Sequence, residues 1–184
     1  MLASKSPRRR ELLTQLGITF DVVDAGDVKE DYPLDLAAED VAPFLSRLKA
    51  DACRYLAGDT DGLVITADTV VVCDGKVLGK PENLEAAKVM LATLSGKTHT
   101  VVSGVTVFNK ERCDTISVKT SVTFGNLTAE EIDYYVEHYK PLDKAGAYGI
   151  QEWIGGVAVE RIEGSFYNVM GLPVHQLYKL LRTF

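Results

Sequence analysis

Apolar positions along the chain recur at two spacings, and the alternation between them sets the order of elements. Leu12, Leu13 and Leu16 form a short helical stripe that Gly17 ends. Ser6-Pro7 ahead of it is a helix-start signal, because serine caps free backbone N–H groups and proline suits the first helical position. Residues 18–23 alternate as a half-buried strand, and 24–35 read as an acidic loop with Gly26 and Pro33. Val41, Phe44, Leu45, Leu48, Ala52 and Leu56 recur at helical spacing and predict a helix over about 41–57. Residues 63–72 are almost wholly apolar and read as a buried central strand. Asp74-Gly75 turns the chain back through 76–78. Asn83 caps a helix that runs to Leu94, strands follow over 98–108 and 115–124, and Thr128-x-x-Glu131 is a capping box for a helix ending near Tyr139. Gly155-Gly156 precedes a short strand over 157–162, and 172–181 form a closing helix. The two long adjacent strands imply antiparallel neighbours within an otherwise alternating pattern, so the fold class is α/β with a mixed sheet.

Composition narrows the partners. The 184 residues are 46% hydrophobic and 25% charged, enough to bury a core, and the formal net charge is −6. An acidic chain with no aromatic-rich basic face argues against a nucleic-acid or membrane-surface binder. Cys53, Cys73 and Cys113 lie far apart without a Cys-x-x-Cys pair and read as reduced thiols. With no long apolar run and no apolar leader core, the expectation is a cytoplasmic protein. Only Leu2-Ala3 precede Ser4, so the strand expected ahead of the first helix is very short.

Against that background the start of the chain stands out. Arg8, Arg9 and Arg10 crowd into the first turn of a helix, where the dipole is already positive. An anion would compensate, held by free N–H groups, the Ser4 and Ser6 hydroxyls and the arginine forks; a solvated basic turn is the other reading. Asp68 sits inside the most apolar strand, where a carboxylate is costly unless paired or bound to a cation, and it is a candidate general base or metal ligand; a strand end emerging at the surface, or an acid held by backbone N–H groups, is the other reading. Lys80, on the turn Gly79-Lys80-Pro81, can present an ammonium to phosphate, although an exposed turn lysine is the ordinary reading. Lys49 reads first as part of a solvated helix face. Glu30 is a loop acid that could share a divalent cation with Asp68. The run from Gly146 to Gln151 is small and ends in an amide able to hydrogen-bond a base edge, or is simply a turn. His99, His138 and His175 share no ligand spacing and read as surface or core-edge residues.

Taken in order, several stretches resemble the Maf family of nucleotide pyrophosphatases. They are Leu2-Ala-Ser-x-Ser-Pro-Arg-Arg9 with Glu11-Leu-Leu13, Leu48-Lys-Ala50, Ala67-Asp-Thr-Val70 and Leu78-Gly-Lys-Pro81, then Ser95-Gly-x-x-His99 and Asp143-Lys-Ala-Gly-Ala-Tyr-Gly-Ile-Gln151, and last Ile162-x-Gly-Ser165 through Asn168 to Pro173. The resemblance implies an ITPase-like fold, with an elongated mixed sheet flanked by helices and two lobes with a central cleft, in a single domain over residues 1–184. It implies cleavage of a nucleoside triphosphate to the monophosphate and pyrophosphate with Mg²⁺ or Mn²⁺. Arg8, Thr69 and Gln151 look like the branch acting on dTTP and UTP, as against the branch acting on 7-methyl-GTP. Ser103 and Glu152-Trp153-Ile154 depart from the family pattern. The resemblance assigns Asp68 as base and, with Glu30, as metal ligand. Ser4, Ser6, Arg8, Arg9, Lys49 and Lys80 would hold the triphosphate, and Thr69 and Gln151 would read the base. A homodimer is implied, with no nucleic-acid or membrane partner. The alternative is a nucleotide-binding regulator of septum formation that acts through a partner.

Overall fold

The computed structural model describes residues 1–24, 26, 28–58 and 62–184. Residues 25 and 27 of the loop expected over 24–35 lie outside the described residues. In chain order the elements are β1 (Leu2–Ala3), α1 (Pro7–Gln15), β2 (Val22–Val23), α2 (Val41–Ala52), β3 (Val64–Cys73), β4 (Lys76–Leu78), α3 (Leu84–Leu94), β5 (Thr98–Phe108), β6 (Cys113–Phe124), α4 (Ala129–Tyr139), α5 (Trp153–Ala158), β7 (Val159–Glu163), α6 (Phe166–Met170) and α7 (Val174–Leu181). The strands form one mixed sheet flanked by helices, in the order β2-β1-β3-β5-β6-β7 with β4 beside β3. β1 pairs in parallel with β2 and β3, whereas β4 and β7 run antiparallel to β3 and β6. The mixed α/β class read from the sequence is the class found.

Local signals place the helix starts. Ser6 is extended and its hydroxyl accepts the Arg9 N–H at 3.4 Å, with Pro7 at the first helical position. Asn83 accepts the Ala86 N–H at 2.8 Å, and Thr128 with Glu131 closes the capping box of α4. Four expectations need correction. The strand over 18–23 shrinks to Val22–Val23. The helix over 41–57 stops at Ala52, followed by one tighter turn, Arg54–Ala57. The segment 153–158 is helical, so β7 begins only at Val159, and the closing helix begins at Val174.

By its internal contacts the chain divides into two compact units. The first comprises Met1–Thr69, Ser103–Val118 and Gly171–Phe184, and the second Val70–Val102 and Lys119–Met170. Ala3, Ala50, Cys53, Val64 and Phe108 pack together in the first unit. There α2 comes so close to β5 that a Cβ on Gly104 would overlap the backbone of Ala42 and Pro43. In the second unit α3 packs against α4 over a core that includes Leu91, Val101, Phe124, Tyr135 and Ile154. His99 belongs to that interior at 2% exposure and is not the core-edge residue expected.

Candidate active site

Consecutive helical residues point about 100° apart, so the three arginines of α1 meet different surroundings. Arg10 is exposed, with Nη2 3.5 Å from the Lys5 carbonyl, and Arg8 is half-buried. Arg9 turns inward. Its Nε donates to the Gly171 carbonyl at 2.9 Å, Nη1 to the Ala67 carbonyl at 2.9 Å and Nη2 to the Thr69 hydroxyl at 3.2 Å. Nη1 also lies 3.5 Å from Ser4 Oγ, which accepts the Ser6 N–H at 3.3 Å. Burial pulls the Arg9 guanidinium below its ordinary value, and Asp68 opposes that pull.

Asp68 lies between the two β3 residues that Arg9 holds. β3 is buried along nearly its whole length because β1 and β5 flank it and the helices cover it. The Asp68 carboxylate is therefore paired, as a buried charge must be. Lys49, near the end of α2, donates to Asp68 Oδ1 at 2.5 Å and lies 2.8 Å from Glu30 Oε1. The Lys49 and Asp68 side chains are only 15% and 11% exposed, against 44% for Glu30. A lysine read as part of a solvated helix face is thus the cation about which two carboxylates gather. Thr69 Oγ1 sits 2.8 Å from Ser103 Oγ on β5 and 3.4 Å from the Gly171 carbonyl. Ser103 and Gly171, neither of them expected in the site, complete the setting of Thr69. In the sequence Ser103 signals itself as a polar residue in a buried strand and as a departure from the family pattern.

Ser4, Arg9, Glu30, Lys49, Asp68 and Thr69 are thus brought together inside the first unit, with Ser6 and Arg8 on the same helix start. Lys80 and Gln151 belong to the second unit, both exposed. There the Gly146 N–H donates to the Gly79 carbonyl at 3.0 Å, tying the start of the 146–151 run to the turn that carries Lys80. Gly146 has a positive φ of 66°, and a Cβ there would press on the Val71 side chain, so the run needs its glycine. Next to Gln151, Glu152 accepts from the buried Tyr135 hydroxyl and pairs with buried Lys144 at 3.1 Å.

Among the described residues no group of three or more His, Cys, Asp and Glu side chains could hold a metal ion by itself. Asp68 and Glu30 nevertheless form a hard-oxygen pair directed at one cation position, which Lys49 takes here. That donor set suits Mg²⁺ or Mn²⁺, which are commonly bound through one or two carboxylates with waters and substrate phosphates.

The whole chain, residues 1–184, matches the family model described as Maf-like protein. It is 54% identical to a protein of Porphyromonas gingivalis named dTTP/UTP pyrophosphatase, over all of this chain and 93% of that one. A protein of the same name from Bacteroides thetaiotaomicron is 51% identical over 99% of this chain and 94% of its own. Another, from Cytophaga hutchinsonii, is 46% identical over 96% and 80%. With a full-length family match and relatives at this identity joined to a buried Asp68 beside the arginine-rich helix start, this chain belongs to the Maf family.

Proposed function

We propose that the protein is a nucleoside triphosphate pyrophosphatase acting on dTTP and UTP, in a house-cleaning role. It splits the α–β phosphoanhydride to give the monophosphate and pyrophosphate. The observation that carries this reading is the buried Asp68 carboxylate, paired with Lys49 in a cluster that Glu30 joins, on the strand that Arg9 of α1 grips.

Hydrolysis needs a water held against the α-phosphorus, a group to take its proton, and positive charge on the oxygens where negative charge builds. Asp68 takes the proton as water adds, and the bond from the α-phosphorus to the bridging oxygen breaks toward the pyrophosphate. The Lys49 ammonium and the Arg8 guanidinium hold phosphate oxygens, with the Ser4 and Ser6 hydroxyls as further donors. Asp68 and Glu30 are the residues that would hold Mg²⁺ or Mn²⁺, and a bound divalent cation supplies charge neutralisation on the phosphates. Lys80 as a phosphate ligand and Thr69 and Gln151 as readers of the pyrimidine edge follow from the sequence resemblance. So do a single domain and a homodimer, and a cytoplasmic location is read from the widely spaced, unpaired thiols. No described helix is long and apolar enough to cross a membrane.

The test is pyrophosphate release from dTTP and UTP with Mg²⁺ or Mn²⁺, in wild type and in Asp68→Asn. Loss of a positioned base costs roughly 10²–10⁴-fold in turnover, so the variant should bind nucleotide yet release pyrophosphate at least about 100-fold more slowly. A wild-type rate in Asp68→Asn would remove Asp68 from catalysis. A regulator that only binds nucleotide would show no turnover in either protein.

A further inference from the structure

Arginine carries five N–H donors in one rigid plane. In Arg9, three of them bond to the chain itself at 2.9–3.2 Å and a longer fourth contact reaches Ser4 Oγ at 3.5 Å. One donor is left over for a ligand, too few for the two-pronged grip by which arginine usually takes a phosphate. The three acceptors come from two distant segments, β3 and the turn at Gly171 before α7, with Arg9 itself on α1. Two of the three, the Ala67 carbonyl and the Thr69 hydroxyl, flank Asp68.

The end of β1 at Ala3 explains the arrangement. β1 pairs with β3 at Leu2 and Ile65 and ends at Ala3. The Ala67 carbonyl, farther along β3, receives the Arg9 Nη1 donor instead of an amide from a longer strand. Side chains alternate faces along a strand, so the Thr69 hydroxyl that Arg9 holds and the Asp68 carboxylate point to opposite sides of β3. The fork therefore acts on the backbone that carries Asp68.

We infer that Arg9 is a positioning residue whose guanidinium fixes the Ala67-Asp68-Thr69 segment by bridging it to α1 and Gly171, and that it does not serve as a phosphate ligand. The inference rests on the pyrophosphatase reading above, because it concerns the proton acceptor of that reaction. Charge alone cannot reproduce a planar bridge to three acceptors, so lysine at this position is no substitute.

Arg9→Lys and Arg9→Ala are compared with wild type in steady-state hydrolysis of dTTP with Mg²⁺, and the affinity of each for a non-hydrolysable α,β-methylene dTTP is measured by calorimetry. Both variants should lose at least tenfold in kcat, to a similar extent, with KM and the analogue Kd within about threefold of wild type. A phosphate ligand would give the reverse: Arg9→Lys near wild type in kcat, or KM and Kd raised tenfold or more, and either result overturns the inference. Should Arg9→Ala not fold, Arg9→Lys, which keeps the charge and the stem, decides alone. If wild type itself releases no pyrophosphate, the activity reading fails; the analogue Kd then judges Arg9, an unchanged value supporting positioning and a tenfold loss refuting it.

Discussion

His99 shows how one side chain makes the fold sensitive to acid. Its Nε2 lies 2.8 Å from the Tyr148 hydroxyl, and its ring meets Phe124 and Tyr148 edge-on at centroid distances of 4.9 and 5.4 Å. Nδ1 has no partner among the described residues. Burial pushes the imidazole from its ordinary 6.5 down to about 4, because nothing nearby repays the desolvation of a cation. The unfolded chain takes up a proton below pH 6.5, whereas the folded chain does so only near pH 4. Between these values the unfolded state binds more protons, so stability falls as pH falls across that window and His99 has no further effect below it. The full difference is on the order of 3 kcal/mol. His99→Phe keeps the ring packing and removes the titration. Urea unfolding at pH 7.5 and pH 5 should show the wild type losing clearly more stability on acidification than the variant, even if the variant starts lower from stranding the Tyr148 hydroxyl. Parallel losses in the two proteins would mean that His99 is charged, or paired, in the folded state.

At the scale of elements, glycine marks where two of them touch most closely. Gly104 lets β5 run under the start of α2, and Gly104→Ala would drive a methyl group into the Ala42–Pro43 backbone. Overpacking of this kind costs about 2–3 kcal/mol, which lowers Tm by roughly 5–10 °C in a protein of this size. A thermal melt within a degree of wild type would show that β5 and α2 stand farther apart. The same contact explains what could and could not be read from the sequence. Caps are local, so Ser6, Asn83 and Thr128 announced their helices where they stand. Asp68 announced itself because an acid in an apolar strand breaks a local rule, and the first-turn arginines did the same. Long-range partners left no such mark. Nothing in the spacing ties Lys49 to Glu30, or Arg9 to Gly171, which stands 162 residues away. Two adjacent glycines argue against a helix, yet Gly155 and Gly156 lie in α5, where a Cβ on Gly155 would strike the Ile150 carbonyl. α6 spans only five residues, too few for a helical period to show, although its Asn168 donates to both the Val101 carbonyl and Thr120 Oγ1 at 3.1 Å.

For the molecule as a whole, the chain passes from one compact unit to the other four times, after Thr69, Val102, Val118 and Met170. The first three of these points fall inside β3, β5 and β6 and not in linkers. A strand is held by ladder bonds on both sides of such a point, so neither unit can lose its strands without fraying those that the other also uses. The expectation is a single cooperative unfolding transition despite the division into two units. The chain supplies its own test, since Trp153 is its one tryptophan and lies in the second unit, its ring centroid 4.8 Å from that of Tyr134. Tryptophan fluorescence therefore follows the second unit, whereas far-ultraviolet circular dichroism follows the helices of both. In urea the two signals should trace superimposable curves with one midpoint. A fluorescence midpoint displaced from the dichroism midpoint would mean that the unit bearing Lys80 and Gln151 opens on its own.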